Sequence, residues 1–172
     1  MATDLIVYGP VEVPYHNQSS GCVKHISKED KESFLFTLET TDVANKQGSY
    51  VFALRASRGY CPWYAGKATK SMRQECMAPD KLNHYNDVLF QGFKGTPVMF
   101  FVIPSGTKYK VPSKEVDNME TFLIQSALSE NPLLKNIQKT KNLPLWTVKG
   151  VIRGGKGKRT KTEKAFTKMM GL

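Results

Sequence analysis

Two tyrosines, Tyr50 and Tyr64, stand in the tripeptides Gly48-Ser49-Tyr50 and Tyr64-Ala65-Gly66, and the cations Lys67, Lys70 and Arg73 follow directly. Two phenol hydroxyls on one sheet face, with a cationic run beside them, suit the handling of a phosphate. Further along, Glu120 falls on the apolar stripe formed by Val116, Met119, Leu123, Ile124 and Ala127. At roughly 100° per residue it lies only about 40° from Val116. A carboxylate on a core-facing stripe is costly unless it is paired or binds a cation. A hard divalent ion, which takes oxygen ligands and keeps several waters, fits such a residue.

The elements that must position these groups follow from periodicity. Ser49–Ala56 alternates, with Tyr50, Phe52 and Leu54 on one side of a half-buried strand. Pro62–Gly66 is again aromatic and β-favouring, and 57–62 reads as the longer loop of a hairpin. Tyr50 and Tyr64 lie symmetrically about Ser57, so antiparallel pairing would set them side by side. Ser71–Met77 begins a helix that Ala78-Pro79-Asp80 interrupts, and Asp80 caps a second one, Lys81–Gln91, on which His84 lies beside the apolar stripe near Tyr85. Gly92–Thr96 is a turn. Pro97–Pro104 (PVMFFVIP) reads as a central strand buried on both faces, and Ser113–Glu130 as the helix that carries Glu120.

The paired tripeptides resemble those of the GIY-YIG nuclease superfamily, with Ser49 and Ala65 at the variable middle positions. The resemblance covers Gly48 to Asn136, about half of the chain, with the motifs in the family's order. The whole chain also resembles a bacterial subgroup of such proteins, which adds no function. The resemblance to the superfamily implies a small layered α/β domain, a central, mostly antiparallel sheet flanked by helices; the N- and C-terminal extensions do not follow from the family pattern. Residues 1–46 would pack on a catalytic core at 47–142, and 143–172 would be a basic extension. The family's Arg on the helix after the second motif is matched by Arg73, with Lys67 or Lys70 as alternatives, and its following His or Tyr by His84 or Tyr85. Its metal-binding Glu is matched by Glu120. Its Asn after that helix is matched by Asn136 in preference to Asn131, which stands beside Pro132 and can end the helix.

The implied activity is that of an endonuclease hydrolysing phosphodiester bonds with one divalent ion, Mg²⁺ or Mn²⁺, held by Glu120. Tyr50 would act as general base or orient the attacking water, and its high ordinary pKa demands help from the ion or a cation. Tyr64 and His84 or Tyr85 would position water and phosphate, and Arg73 would stabilise the transition-state charge. The substrate would be nucleic acid, DNA in preference to RNA. The alternative is a non-catalytic nucleic-acid-binding module that keeps the fold.

Composition agrees with an anionic partner. The chain of 172 residues carries a net charge of +10, of which Thr147–Leu172, with eight Lys or Arg against one Glu, holds +7. Trp146–Arg153 alternates like a strand, the run to Arg159 is basic and glycine-rich, and Thr162–Met170 reads as a short basic helix. Arg153, Lys156, Lys158 and Arg159 would track a nucleic-acid backbone. The GGKGK run lacks the spacing of a phosphate-binding P-loop, which sets a nucleotide-binding reading aside.

The other end of the chain carries no recognisable chemistry. Leu5–Tyr8 is a strand that Gly9-Pro10 stops and Val11–Val13 can resume; Tyr15–Gly21 is loop. Ser27-Lys28-Glu29-Asp30 resembles a helix start, and Phe34–Leu38 is strand or helix. His16 and His25 have no partner carboxylate at recognisable spacing and read as ordinary surface or packing residues. Cys22, Cys61 and Cys76 show neither disulfide nor zinc spacing and read as reduced thiols. With no visible signal peptide and no apolar run long enough to span a bilayer, the expected location is the cytoplasm, away from membranes.

Overall fold

The structure is a computed structural model that describes residues 4–17, 23–57, 59–106, 110–136, 147–149, 151 and 158–172. Its frame is a sheet of β1 (Asp4–Glu12), β4 (Gly48–Ala56), β5 (Gly59–Ala68), β6 (Thr96–Pro104) and the short β7 (Thr147–Val148), in the order β5-β4-β6-β1-β7. The first four strands pair antiparallel, and β7 runs parallel to β1. A separate two-stranded pair is formed by β2 (His16–Asn17) and β3 (Lys24–His25). Among the described residues five helices complete the layers: α1 (Lys28–Glu39), α2 (Met72–Glu75), α3 (Pro79–Phe90), α4 (Ser113–Glu130) and α5 (Lys161–Met170). This is the small layered α/β domain expected from the sequence.

β6 shows why the layers form. Its apolar run is buried throughout after Thr96, and its side chains alternate between two cores. Met99, Phe101 and Ile103 face α1, α2 and α3, while Val98, Phe100 and Val102 face α4 and α5. β4 divides the same way, with Tyr50, Phe52 and Leu54 on the first face and Val51 and Ala53 on the second. Each fully buried aromatic or aliphatic side chain contributes about 1.5–3 kcal/mol through the area it removes from water.

Several local expectations change. Gly9-Pro10 does not stop the first strand; β1 runs through it with a register shift between Tyr8 and Val11. Ser27 caps α1 through a reciprocal capping box with Asp30, which makes Phe34–Leu38 helical. α3 starts at Pro79 with Ala78 as its cap, so Asp80 lies in the first turn rather than at the cap. Within the stretch read as a polar loop at 15–21, His16–Asn17 form β2, and residues 18–21 lie outside the described residues.

The hairpin is tighter than its composition suggests. β4 ends at Ala56 and β5 begins at Gly59, so Gly59 to Pro62 belong to the strand. Pro62 is tolerated because β5 is an edge strand, where a missing N–H breaks no ladder on the outer side. The register is also offset. Tyr50 pairs with Gly66 and Tyr64 with Phe52, and an irregularity between Phe52 and Ala53 turns Trp63 and Tyr64 both toward the first core. The two tyrosines are therefore diagonal neighbours, not a direct cross-strand pair. No described helix is long and apolar enough to cross a membrane.

Candidate active site

The diagonal offset still brings the phenols together, because the position opposite Tyr50 is glycine. A Cβ on Gly66 would lie 2.5 Å from the Tyr50 Cζ and hydroxyl oxygen, so the Tyr50 ring lies across the strand where a side chain would otherwise stand. The Tyr50 and Tyr64 rings stack with centroids 6.4 Å apart, and His84 from α3 stacks on Tyr64 at 5.2 Å. Tyr85, the other candidate for that position, is core: its ring packs on Phe52 at 4.3 Å and its hydroxyl donates to the Cys76 carbonyl.

The charged groups come from both faces. On α3 the Lys81 ammonium, bridged to Asp80, stands 5.8 Å from the centre of the Tyr64 ring. On β5 the Lys67 ammonium is held by Asp117 and lies 3.6 Å from Glu120. The Glu120 side chain is only 12% exposed, as its place on the apolar stripe foretold. Its charge reaches both phenols, and together with their surroundings it disfavours ionisation. Burial, then the neighbouring Tyr64 and Cys76, hold the Tyr50 phenol far above its ordinary pKa. Burial also raises Tyr64, while the Lys81 ammonium works in the opposite direction. Lys67 is raised by its hydrogen bond to Asp117, with Glu120 adding to the effect. Neither phenol ionises by itself at neutral pH; Tyr64 is the one with a cation beside it.

The Tyr50 hydroxyl is buried next to the Tyr85 hydroxyl, but among the described residues it makes no hydrogen bond of good geometry. Such a group is normally satisfied, and an exception calls for a reason.

Asn136 acts on the backbone. Its side-chain carbonyl accepts from the Ala65 N–H and its amide donates to the Ala65 carbonyl, both at 2.7 Å. Asn131 caps α4 and also donates to the Pro62 carbonyl, and the Lys135 N–H donates to the Trp63 carbonyl. The segment after α4 thereby zips along the open side of β5 and fixes the strand that carries Tyr64, Gly66 and Lys67. Asn136→Ala is expected to cost about 1–3 kcal/mol by leaving both Ala65 groups unpaired. Amide exchange checks it: the Ala65 amide, slow in the parent, becomes fast while the β4–β6 ladder stays slow.

The remaining residues lie elsewhere. Arg73 is half-exposed and its Nε bonds Glu39 of α1 at 2.6 Å, so it is turned toward that helix rather than toward the phenols. The cations beside the phenols and Glu120 are Lys81 and Lys67 instead. Lys70 is exposed. Lys158 and Arg159 are exposed ahead of α5, and Arg153 and Lys156 lie outside the described residues. Lys81 and Asp117 are marked in the sequence only by helical spacing, one turn before His84 and one turn before Glu120.

A hard divalent ion fits the donor set in one form. Glu120 and Asp117, one helical turn apart, both converge on the Lys67 ammonium, so their oxygens already share one cation. No group of three or more His, Cys, Asp or Glu converges among the described residues. One or two carboxylates completed by water is the arrangement that Mg²⁺ accepts, whereas a protein cage for Ca²⁺ needs more ligands. No protein-family model, curated protein or solved structure matches the chain.

Proposed function

We propose that the protein is a GIY-YIG-type, metal-dependent phosphodiesterase that cuts nucleic acid, DNA in preference to RNA. The observation that carries the reading is that two groups meet at β5, Tyr64 with Tyr50, His84 and Lys81 on one face and Lys67 with Asp117 and Glu120 on the other, with the Glu120 charge near enough to act on both phenols. When bound through Glu120, with Asp117 beside it, Mg²⁺ or Mn²⁺ would supply Lewis-acid polarisation of the phosphate and steady the leaving oxygen. Lys67 and Lys81 hold the non-bridging phosphate oxygens in the role first given to Arg73. Tyr64 and His84 orient the attacking water, with Tyr64 the better placed to lose its proton because of Lys81. Tyr50, whose neutral form is strongly favoured, donates a hydrogen bond when the site is engaged. The basic C-terminal stretch adds sequence-independent, salt-sensitive affinity.

The second reading, a binding module without chemistry, is favoured by one observation: the Tyr50 hydroxyl is closed to solvent. The test is a panel of labelled DNA and RNA incubated with Mg²⁺ or Mn²⁺, with chelator, and with Glu120→Ala. The enzyme cuts only with the metal and loses activity in the variant. Salt-sensitive binding without cutting, unchanged by Glu120→Ala, establishes the module and overturns the enzyme.

A further inference from the structure

The chain contains three histidines. One stacks on Tyr64; the other two face each other outside that site. His16 of β2 and His25 of β3 are directly paired in the antiparallel register, which places their side chains on one face of the two-stranded sheet. Their ring centroids are 5.5 Å apart and the rings are nearly perpendicular. Two imidazoles sharing one tetrahedral ion, each bonded through nitrogen at about 2.0–2.1 Å, have centroids roughly 5 Å apart. The observed centroid spacing is close to that value.

The second observation concerns the proton on His16. Its Nδ1 lies 2.9 Å from Asp30 Oδ2. A carboxylate in its ordinary ionised form can only accept, so Nδ1 carries the hydrogen and Nε2 keeps its lone pair. A carboxylate that fixes the tautomer and orientation of a histidine is the usual outer partner of a metal-ligating imidazole. Asp30 is itself fixed, since the same oxygen accepts from the Ser27 N–H in the α1 capping box.

The neighbourhood favours the arrangement. Half of the His16 side chain is exposed, leaving room for water ligands. The nearest ammonium in sequence, Lys24, is turned away: it donates to the Gly95 carbonyl and lies over the Tyr15 ring. β3 is anchored to α3, because the Asn86 side chain bonds both the N–H and the carbonyl of Ile26.

We propose that His16 and His25, with Asp30 orienting His16, form a surface site for a divalent transition-metal ion of the Zn²⁺ or Ni²⁺ class, completed by water. Nitrogen ligands select borderline cations of this kind over Mg²⁺. The site is separate from Glu120 and stands whether or not the chain is a nuclease. Its effect is to tie β2 to β3 and to the start of α1.

The test is calorimetric titration of tag-free full-length protein with Zn²⁺, and separately Ni²⁺, in excess Mg²⁺ to mask hard-ligand sites. The expected result is one equivalent bound, lost in both His16→Ala and His25→Ala and retained in His84→Ala. Asp30→Asn, which keeps an acceptor for the α1 cap, weakens binding about tenfold or more. The metal raises the melting temperature of the parent and not that of the two His16 and His25 variants. No uptake, uptake that survives either alanine substitution, or loss in only one of the two overturns the proposal.

Discussion

Gly48→Ala is expected to destabilise the protein by about 3 kcal/mol or more, lowering its melting temperature by roughly 6–12 °C. Gly48 has φ +151°, a conformation that L side chains rarely adopt. A Cβ there would also collide with the Val102 carbonyl oxygen and lie 3.1 Å from the end of the Met72 side chain. Met72 can yield; Val102 cannot. It sits in the middle of β6, which is paired with β4 on one side and β1 on the other. The strain must then be taken by β4, at the residue pair that leads into Tyr50. Thermal and chemical denaturation check this, and a midpoint within about 2 °C of the parent would show that the sheet absorbs the side chain. The glycine that opens the first tripeptide is thus explained by packing before any chemistry is invoked. The same holds for Gly66, which closes the second tripeptide and leaves space for the Tyr50 ring.

What the sequence disclosed was local. The apolar run of β6, the stripe of α4 with Glu120 on it and the capping signals at Ser27 belong to single segments, and each is found where periodicity placed it. The hairpin misled because Gly59 and Pro62 are turn formers in isolation, whereas an edge strand tolerates both. Its register depended on an irregularity at Trp63 that no spacing rule marks. Arg73 was favoured by residue type, yet Glu39, far away in sequence, claims its guanidinium. The pairs Lys67–Glu120, Asn136–Ala65 and His16–Asp30 are likewise contacts across the fold. A carboxylate on a hydrophobic stripe can be recognised from one helix. The ammonium that will meet it requires the sheet.

Tyr50→Phe is expected to separate stability from activity, moving them in opposite directions. The substitution removes only the hydroxyl, which is buried beside the Tyr85 phenol without a hydrogen bond of good geometry among the described residues. An unsatisfied buried polar group costs about 1–3 kcal/mol, so its removal should stabilise the fold by about 1 kcal/mol. For a chain of this length that is a rise of roughly 2–4 °C in melting temperature. The ring itself stays, filling the space above Gly66 and stacking on Tyr64. Cutting, by contrast, should fall about 10²–10⁴-fold if the phenol donates a hydrogen bond to the reacting groups. A buried hydroxyl without a well-formed hydrogen bond is what such a trade-off leaves behind. A variant that is more stable and inactive supports both the structure and the chemistry. A more stable variant that cuts at the parental rate removes Tyr50 from the reaction and leaves it a core residue. A variant that loses stability shows instead that the hydroxyl finds a partner in the folded state, with the adjacent Tyr85 phenol the nearest candidate.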